Sequence, residues 1–417
     1  MPLIHIIGAG LSGLAAGIAL TQAGHRVTLY ESGPAAGGRC RSYHDRELGC
    51  RIDNGNHLLL SGNRAALAYL ATIGAANTLT GPARPIFPFM DLATGERWTV
   101  APNLGRIPWW VLSPSRNVPG ARLRNYAALA RLRFAHGDAS VAATLGHAGP
   151  LYRRLLEPLA VAALNTPPDT GLARLLAAVV NATLAQGGAA CRPLVPATGL
   201  SESFIDPALT WLAARGGTLH TNRRITALAI DCGAVRELQT TAGPTGIAPG
   251  EAVVLAVPPW IAATLLPGLV APDEYEAIVN VHFRTQAATG PAGFIGLVGG
   301  LAEWVFVKDG VVATTTSAAN RVVDQPAEAL AATSWAETAR ALSLSGPMPP
   351  WRVVKEKRAT FAATAAQERR RPGPRTALSN LVLAGDWTAT GLPATIEGAI
   401  RSGNTAATTL LSDPRMR

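Results

Sequence analysis

The chain begins with an apolar run, a set of closely spaced glycines and a second apolar stretch. Residues 5–7 fit a buried strand, and residues 14–23 are almost all small or aliphatic, which is typical of a helix buried against a sheet. Gly24 ends this helix, and a short strand-like run over residues 26–31 follows. The pattern predicts a strand–helix–strand unit that belongs to a parallel sheet.

The rest of the chain continues with both helix-like and strand-like patterns. Helical patterns cover the segments from Asn63 to Gly74, Leu151 to Leu164, Leu172 to Leu184 and Ser201 to Arg215. Strand patterns cover residues 219–221, 225–230, 252–257 and 380–384, and a final helix follows the last of these. Residues 294–298, 304–307 and 311–316 flank Gly-Gly and Asp-Gly dipeptides, so we predict hairpins there.

The glycines after the first strand have the spacing of a dinucleotide-binding turn. Gly8 would make the tight turn, Gly10 would let the backbone approach a pyrophosphate, and Gly13 would let the helix pack closely on the sheet. Leu11 and Ser12 open the helix, whose N-terminus favours phosphate. A glycine triplet alone is a weak signal, since similar turns occur without a ligand.

A second candidate phosphate-facing loop follows the next strand. Glu31 ends that strand at the position expected to accept hydrogen bonds from a ribose. Ser32 begins the loop, and Gly37, Gly38 and Arg39 add backbone N–H groups and a guanidinium at the same sheet edge. A single nicotinamide dinucleotide needs no such second loop.

A third candidate element lies near the C-terminus. The strand around residues 380–384 ends in Gly385 and Asp386, and the final helix carries Gly398 and Ala399. The ordinary alternative for Asp386 is a helix N-cap or a turn acid.

Together these three segments resemble the flavin domain of the glutathione-reductase-like superfamily, which contains amine oxidases and carotenoid desaturases. The resemblance implies an α/β fold with a glutathione-reductase-like FAD-binding Rossmann domain. It also implies non-covalent FAD, with Asp386 at the ribityl and pyrophosphate and the last helix near the isoalloxazine. Ile225, in the middle segment, joins the predicted cofactor-binding residues.

The predicted elements divide into two interleaved sets. We expect residues 1–75, 196–259 and 354–417 to form the FAD-binding domain. Residues 76–195, mostly helical, and 260–353, with the hairpins, would form an interleaved α+β substrate domain. Helices backed on a sheet in this way would wall an elongated apolar cavity.

Polar side chains cluster just before residue 60. Asp53, Asn54, Gly55, Asn56 and His57 lie on a glycine-containing turn before an apolar run, so the turn would bring polar groups to the flavin's reactive edge. The alternative is a turn whose acid and amides satisfy local N–H groups, with His57 packed in the core.

The order and spacing of residues 52–57, 163–167 and 194–202 are similar to those of the hydroxysqualene dehydroxylases, and the similarity extends over almost the whole chain. Asn56 stands where glutamine is more usual, and Cys191 where serine is expected. The resemblance implies a long isoprenoid substrate, hydroxysqualene, reduced to squalene by hydride from reduced flavin to an allylic cation. The sequence leaves the electron donor open.

That chemistry needs an acid for the departing hydroxyl. His57 is the candidate, because imidazolium donates a proton near neutral pH, and Asp53 is the candidate partner that orients it. Asn165 and Thr166 are candidate hydroxyl-positioning residues, and the alternative for them is a helix-ending turn before Pro167.

Other functions remain open at this point. A carotenoid-type desaturase would use the same fold to oxidise an isoprenoid, and another amine-oxidase-like enzyme shares the FAD motifs. A non-catalytic lipid-binding protein would keep the fold without the chemistry, because function lies in the site and not in the fold.

Composition and charge indicate whether the chain would bind a membrane or a nucleic acid. The 417 residues are 48% hydrophobic and only 15% charged, with a net charge of +10. Residues 97–133 hold seven arginines and no acid among Trp98, Trp109 and Trp110, which predicts peripheral contact with a membrane, unless the tryptophans are core. We expect no nucleic-acid partner, since no such module is recognised.

The cysteines and the N-terminal residues indicate the cellular compartment. Cys40, Cys50, Cys191 and Cys232 show neither metal-binding spacing nor a disulfide framework, so we expect no metal and a reducing compartment. We read residues 6–20 as mature fold and not as a signal peptide. The predicted location is cytoplasmic, with contact on the inner face of the cytoplasmic membrane.

Overall fold

A parallel sheet of five strands organises one side of the computed structural model, which describes residues 2–146 and 148–413. Its strands come from the beginning, the middle and the end of the chain. In spatial order they are β10 (Thr218–His220), β2 (Arg26–Tyr30), β1 (Leu3–Ile7), β14 (Ala252–Leu255) and β20 (Leu381–Leu383). The three segments predicted from the sequence therefore meet in one sheet.

A mixed sheet of seven strands forms the other side. Its order is β19 (Trp351–Phe361), β15 (Tyr275–Arg284), β18 (Val311–Thr316), β17 (Trp304–Lys308), β16 (Phe294–Val298), β7 (Phe87–Asp91) and β8 (Arg97–Val100). Neighbouring strands are antiparallel, except that β16 and β7 run parallel. The β16–β17 and β17–β18 hairpins confirm the predicted turns.

Three small sheets connect these layers. They consist of β3 (Ser42–Asp45) with β4 (Cys50–Asp53); β5 (Leu59–Leu60), β9 (Pro193–Pro196) and β6 (Leu79–Thr80); and β11 (Ile225–Asp231), β12 (Ala234–Thr240) and β13 (Gly243–Gly246). Of these, only β11 was marked as a strand by the sequence pattern. The others are short or rich in polar residues and glycine, so they carry little strand periodicity.

Helices cover one face of the parallel sheet and one face of the large sheet, and the sheet of β11 to β13 packs on the opposite face of the parallel sheet. Their bounds are α1 (Leu11–Gln22), α2 (Arg64–Thr72), α3 (Ala127–Arg133), α4 (Val141–Leu145), α5 (Glu157–Leu164), α6 (Ala173–Ala182), α7 (Asp206–Ala213), α8 (Pro259–Leu265), α9 (Ala327–Leu342), α10 (Ala365–Arg369) and α11 (Ile396–Leu411). Single π-helical turns, Tyr152–Leu156 and Ser201–Ile205, precede α5 and α7. None of the helices in the described part of the chain has the length and apolar character needed to cross a bilayer.

Two features of the second side were not predicted from the sequence. Beside its helices, the segment 76–195 contributes β7 and β8 to the large sheet. Pro88, inside β7, argued against a strand there. The large sheet also continues past position 354, since β19 pairs with β15 from Trp351 to Phe361.

The two faces of the large sheet contact different parts of the molecule. One face packs on α9 through buried residues such as Val279, Val281 and Leu330. The opposite face carries Asn280, Thr315 and other residues that line an internal cavity. Burial on the first face stabilises the sheet, and the second face is left to contact a ligand.

Candidate active site

The first glycine turn is shaped by close backbone contacts at two of its three glycines. A Cβ on Gly8, whose φ is +102°, would lie 2.4 Å from the carbonyl oxygen of Ala256, and one on Gly13 would lie 2.0 Å from that of Gly8. A Cβ on Gly10 would meet no atom within 4 Å. Gly8 and Gly13 are therefore required by the fold, whereas Gly10 leaves space beside the cavity.

The second loop packs directly on the first. Gly37 forms a bridge with Gly10 and donates its N–H to the carbonyl of Ala9 at 2.8 Å. The Glu31 carboxylate accepts from the N–H groups of Ala9 at 3.1 Å and Gly33 at 2.9 Å. The strand-end acid and both loops therefore form one cradle at the edge of the parallel sheet.

The C-terminal Gly-Asp joins this cradle through arginines. Arg39 donates to the Asp386 carboxylate at 2.7 Å and also to the carbonyl of Ala359. Arg371, whose side chain is completely buried, donates to the carbonyls of Asp386 at 3.0 Å and Thr388 at 2.5 Å. Sequence reasoning missed Arg371, because one arginine in the run 369–371 gives no signal of burial.

A cavity of about 1020 Å³ joins most of the predicted site residues. Of the predicted residues, those on its wall are Gly8, Gly10, Leu11, Ser12, Glu31, Ser32, Gly37, Gly38, Arg39, Asn54, Gly55, Asn56, His57, Asn165, Ile225, Gly385, Asp386 and Ala399. Gly13, Asp53, Thr166 and Gly398 lie behind the wall. The three flavin-type segments and the polar turn before residue 60 therefore face one space.

The same cavity extends between the large sheet and the helices beside it. Its apolar walls include Phe87, Phe89, Val100, Trp110, Leu129, Leu155, Leu159, Val179, Val180, Leu184, Trp304 and Phe306. Large apolar area beside a small number of polar groups is typical of a site for a hydrophobic ligand.

His57 lies on this wall with one ring nitrogen bonded to the backbone. Its Nδ1 is 3.1 Å from the carbonyl oxygen of Gly55. A carbonyl only accepts, so Nδ1 carries the hydrogen and Nε2 is left to exchange a proton. Burial lowers the pKa of His57, and the positive charges of Arg39 and Lys308 lower it further.

The predicted pairing of Asp53 with His57 was wrong. Asp53 instead accepts from the Lys308 ammonium and the Ser42 hydroxyl at 2.7 and 2.6 Å, and from the N–H of Leu200 at 2.9 Å. Burial alone would raise the pKa of Asp53, but Lys308 and these hydrogen bonds outweigh it and lower the pKa. The carboxylate is a structural anchor, and its effect on His57 is a longer-range attraction.

The structure also revises the positioning roles predicted near residue 165. Thr166 is fully buried, and its hydroxyl donates to the carbonyl of Leu164 and accepts from the N–H of Ala363. Asn165 lines the cavity, but its amide accepts from the N–H of Ala318 and donates to Thr360. Thr166 therefore holds the end of α5, which is the helix-ending alternative, and Asn165 has its amide committed to the fold.

Exposed apolar and basic side chains form a surface over residues 104–134. Six of the ten large hydrophobic side chains that are exposed in the described residues lie here, with five exposed arginines. We call this the arginine–aromatic surface, formed by Leu104, Ile107, Trp109, Leu112, Leu123 and Phe134 with Arg106, Arg122, Arg124, Arg131 and Arg133. The two neighbouring tryptophans have different surroundings. Trp109 is 63% exposed to solvent, whereas Trp110 is 3% exposed and lines the cavity.

Hydrogen bonds tie the parts of this surface together. Arg106 donates to Gln186 at 3.2 Å, and Gln186 donates to the carbonyl of Asn181 at 2.9 Å. Asn181 in turn donates to the carbonyl of Arg133 at 3.1 Å. The loop before Trp109 and the end of α3 are therefore held on one structural unit.

The cradle fits the dinucleotide of FAD. Helix α1 has Gly10 as its N-cap, with no side-chain cap and no acid in its first turn, so its first N–H groups are left for an anion. Glu31, Arg39 and Asp386 border the same cavity. Within the described ranges, no three His, Cys, Asp or Glu side chains are grouped as a metal site.

Comparison with known proteins agrees with this geometry. The family model of flavin-containing amine oxidoreductases matches residues 11–288 and 308–411. Hydroxysqualene dehydroxylases from Sinorhizobium fredii, Rhodopseudomonas palustris and Zymomonas mobilis are 47%, 48% and 43% identical, and each match covers at least 98% of both chains. A probable zeta-carotene desaturase from Synechococcus elongatus is 28% identical over 64% of this chain and 59% of its own.

Solved structures show the same fold at low sequence identity. An oxidoreductase from Methanosarcina mazei has a TM-score of 0.70 and 16% identity, with 99% of this chain and 100% of that chain covered. A redesigned putrescine oxidase has the same TM-score and identity, with 99% of both chains covered. The α/β architecture predicted from the sequence is thereby confirmed.

Proposed function

The chain belongs to the flavin-containing amine oxidoreductases and, within them, to the hydroxysqualene dehydroxylase family, and from this premise we propose that it reduces hydroxysqualene to squalene with FAD. The observation that carries the proposal is the single cavity, which joins the dinucleotide cradle to a long apolar wall. The dinucleotide end accounts for the cofactor. The apolar end accounts for an isoprenoid substrate.

The net reaction replaces a hydroxyl group by hydrogen and releases water, so it consumes one proton and one hydride. Reduced FAD supplies the hydride. The protein must hold the alcohol, exclude bulk water that would recapture an allylic cation, and deliver the proton. The buried aromatic and aliphatic side chains around Phe89, Leu159 and Trp304 perform the second task.

We assign the proton delivery to His57. Its Nδ1 is fixed on the Gly55 carbonyl, so the ring orientation is set and Nε2 is the exchanging nitrogen. His57 lies on the same wall as Asn54, Gly55 and Asn56, the turn expected beside the flavin. Its lowered pKa favours the release of a proton once the ring has taken one up.

We further infer that the arginine–aromatic surface binds the face of an anionic lipid bilayer. Its five exposed arginines have no acidic partner within the described residues, and its apolar side chains are open to solvent. Trp and Arg side chains are suited to the headgroup boundary. Trp110, which follows Trp109 in the chain, lies on the cavity wall, so the surface adjoins the wall of the space that would receive a lipid-soluble substrate.

A single-turnover experiment tests the reaction. Holoenzyme reduced with dithionite without oxygen should convert added hydroxysqualene to squalene, identified by mass. The carotenoid-desaturase alternative instead predicts new conjugated double bonds when the oxidised enzyme meets an isoprenoid. Flavin-containing enzyme that forms no squalene would refute the proposed function.

A further inference from the structure

One row of residues across the large sheet changes from polar to aromatic along the cavity wall. Asn280 on β15 pairs with Thr315 on β18, and Thr315 pairs with Trp304 on β17. The row continues through Gly296 on β16 to Phe89 on β7. Apart from Gly296, these residues all line the cavity, so the wall has a small polar patch beside an aromatic stretch.

Hydrogen bonds fix the orientation of the Asn280 amide. The Thr315 hydroxyl donates to Asn280 Oδ1 at 2.9 Å. The same hydroxyl oxygen accepts from Asn56 Nδ2 at 3.0 Å, and Asn56 also donates to the Thr314 carbonyl at 3.3 Å. Because Oδ1 is the accepting atom, the other atom of the Asn280 amide, Nδ2, is a donor.

Among the residues that the structure describes, that donor has no partner. Asn280 is 1% exposed, and within the described part of the chain no atom accepts a hydrogen bond from its Nδ2. The amide nitrogen faces Gly55, where a Cβ would lie 3.1 Å from it. Buried donors are normally satisfied, so an unpartnered donor on a cavity wall indicates a ligand oxygen.

We propose that Asn280 Nδ2 donates a hydrogen bond to the hydroxyl oxygen of the substrate, and that Thr315 and Asn56 are its positioning residues. The assignment rests on the proposed function, which supplies an alcohol in this cavity. The aromatic stretch from Trp304 to Phe89 then takes the hydrocarbon beside the hydroxyl. Because Asn280 Nδ2 faces Gly55, this places the oxygen next to the 54–57 turn, which carries His57.

The arrangement has a consequence for substrate and product. The alcohol satisfies Nδ2, whereas squalene has no oxygen and leaves the donor unpaired. Unpaired buried donors are unfavourable. The site therefore favours the alcohol over the hydrocarbon and promotes product release.

Ligand binding to the oxidised holoenzyme, which lacks hydride, tests the assignment without turnover. Wild type should bind hydroxysqualene about tenfold more tightly than squalene. Asn280→Leu, of similar size and without a donor, should lose this preference and keep its affinity for squalene. Retention of the preference by flavin-loaded Asn280→Leu would overturn the proposal, and so would an equal loss for both ligands.

Thr315 provides a second variant that does not depend on Asn280→Leu folding. Thr315→Val should reduce the preference for the alcohol, because the amide is no longer held, and Thr315→Ser should restore it. Thr314→Val is the matched control, since it is the neighbouring residue on β18 and its buried hydroxyl has no partner within the described chain. If Thr315→Val and Thr314→Val behave alike, Thr315 does not position the amide and the proposal fails.

Two results distinguish the reaction from the hydroxyl site. A wild-type enzyme that forms no squalene contradicts the proposed function. A wild-type enzyme that forms squalene, combined with an Asn280 variant that still distinguishes alcohol from hydrocarbon, contradicts only the hydroxyl site.

Discussion

His57 is a half-buried histidine on the cavity wall, and its ring is oriented by a backbone carbonyl and not by a carboxylate. The Gly55 carbonyl fixes Nδ1 at 3.1 Å, and Asp53 is occupied by Lys308. Without a carboxylate partner, burial lowers the pKa of His57. The ring is therefore mostly neutral at neutral pH and is protonated only in a minor fraction of molecules.

This fraction makes the reaction sensitive to pH. If His57 delivers the proton, the single-turnover rate should rise as the pH falls from about 8 to about 6, because the protonated fraction increases. His57→Gln should lower the rate on the order of 100-fold and remove that dependence. The measurement is flavin reoxidation by hydroxysqualene across pH.

His282→Gln is the control for the loss of a buried histidine. Burial lowers the pKa of His282 to about 4, and this residue does not line the cavity. The control should keep the rate and its pH dependence. Normal turnover by His57→Gln with full flavin content would show that another group is the acid.

Glu303 gives a second prediction at the scale of one residue. Burial raises its pKa to about 8, partly offset by the hydrogen bond from the Ser317 N–H at 2.5 Å. The folded state therefore keeps a proton that the unfolded state releases above the ordinary pKa of 4.5. Its stabilising contribution is complete below that value and is lost as the pH rises through about 8.

Glu303→Gln mimics the protonated carboxyl and removes this loss. The variant should gain thermal stability relative to wild type as the pH rises from about 5 to about 9, measured as the difference in Tm. A difference in Tm that does not change with pH would contradict the assigned protonation.

Single side chains on the site were only partly predictable. The glycine-rich loops, Asp386 and His57 could be singled out from their motifs, and they line one cavity. Asn280 and Arg371 were missed, since both lie in segments with no motif and gain their roles from strand pairing and burial. Asp53 was misassigned because Lys308, its partner, is 255 residues away in sequence.

Among the elements, the turn before α1 contains one glycine that close packing requires and one that packing does not require. Gly13 is close to the Gly8 carbonyl, while Gly10, at φ −77°, has open space beside it. An alanine fits the backbone conformation of Gly10 but not the space at Gly13.

Paired substitutions test this difference. Gly10→Ala should leave the Tm of the apoprotein within a few degrees of wild type and weaken FAD binding, because its methyl group enters the cavity. Gly13→Ala should destabilise the apoprotein itself, by about 1–3 kcal/mol. Both are measured by thermal denaturation and FAD titration. Equal FAD affinity in Gly10→Ala and wild type would show that the cofactor does not approach this turn.

The sequence predicted those helices and strands that have a regular apolar pattern or a clear turn dipeptide. The buried strand β1, helix α1 and the β17–β18 hairpin have clear apolar patterns or turn dipeptides, and all three form. Strand β7 contains a proline, and its place beside β16 depends on a pairing across about 200 residues of sequence. Long-range pairing of this kind leaves no local pattern.

At the scale of the whole molecule, the interleaved segments bring one cavity from the dinucleotide cradle to the helices behind the arginine–aromatic surface. Helix α1 packs closely on α11, where a Cβ on Gly403 would lie 2.3 Å from the Ser12 carbonyl. The first and last segments are thus locked together beneath the cradle. The surface at the other end carries exposed apolar side chains and five exposed arginines that have no acidic partner within the described residues.

Vesicle sedimentation tests the role of that surface. The protein should bind vesicles rich in anionic lipid and bind neutral vesicles weakly, with binding reduced by salt. Arg122→Gln with Arg124→Gln should weaken binding by about fivefold for each arginine. Trp109→Ala should weaken it as well, whereas Val270→Ala, an exposed apolar position elsewhere, should not. Equal binding to neutral and anionic vesicles would contradict the inferred contact.

The most direct test of the whole account is an anaerobic titration of the reduced holoenzyme with hydroxysqualene. Flavin absorbance and squalene are followed in the same sample. One squalene should appear for each flavin that is reoxidised. Reduced flavin that stays reduced in the presence of the alcohol, or a correctly folded protein that is colourless and does not take up FAD, would contradict it.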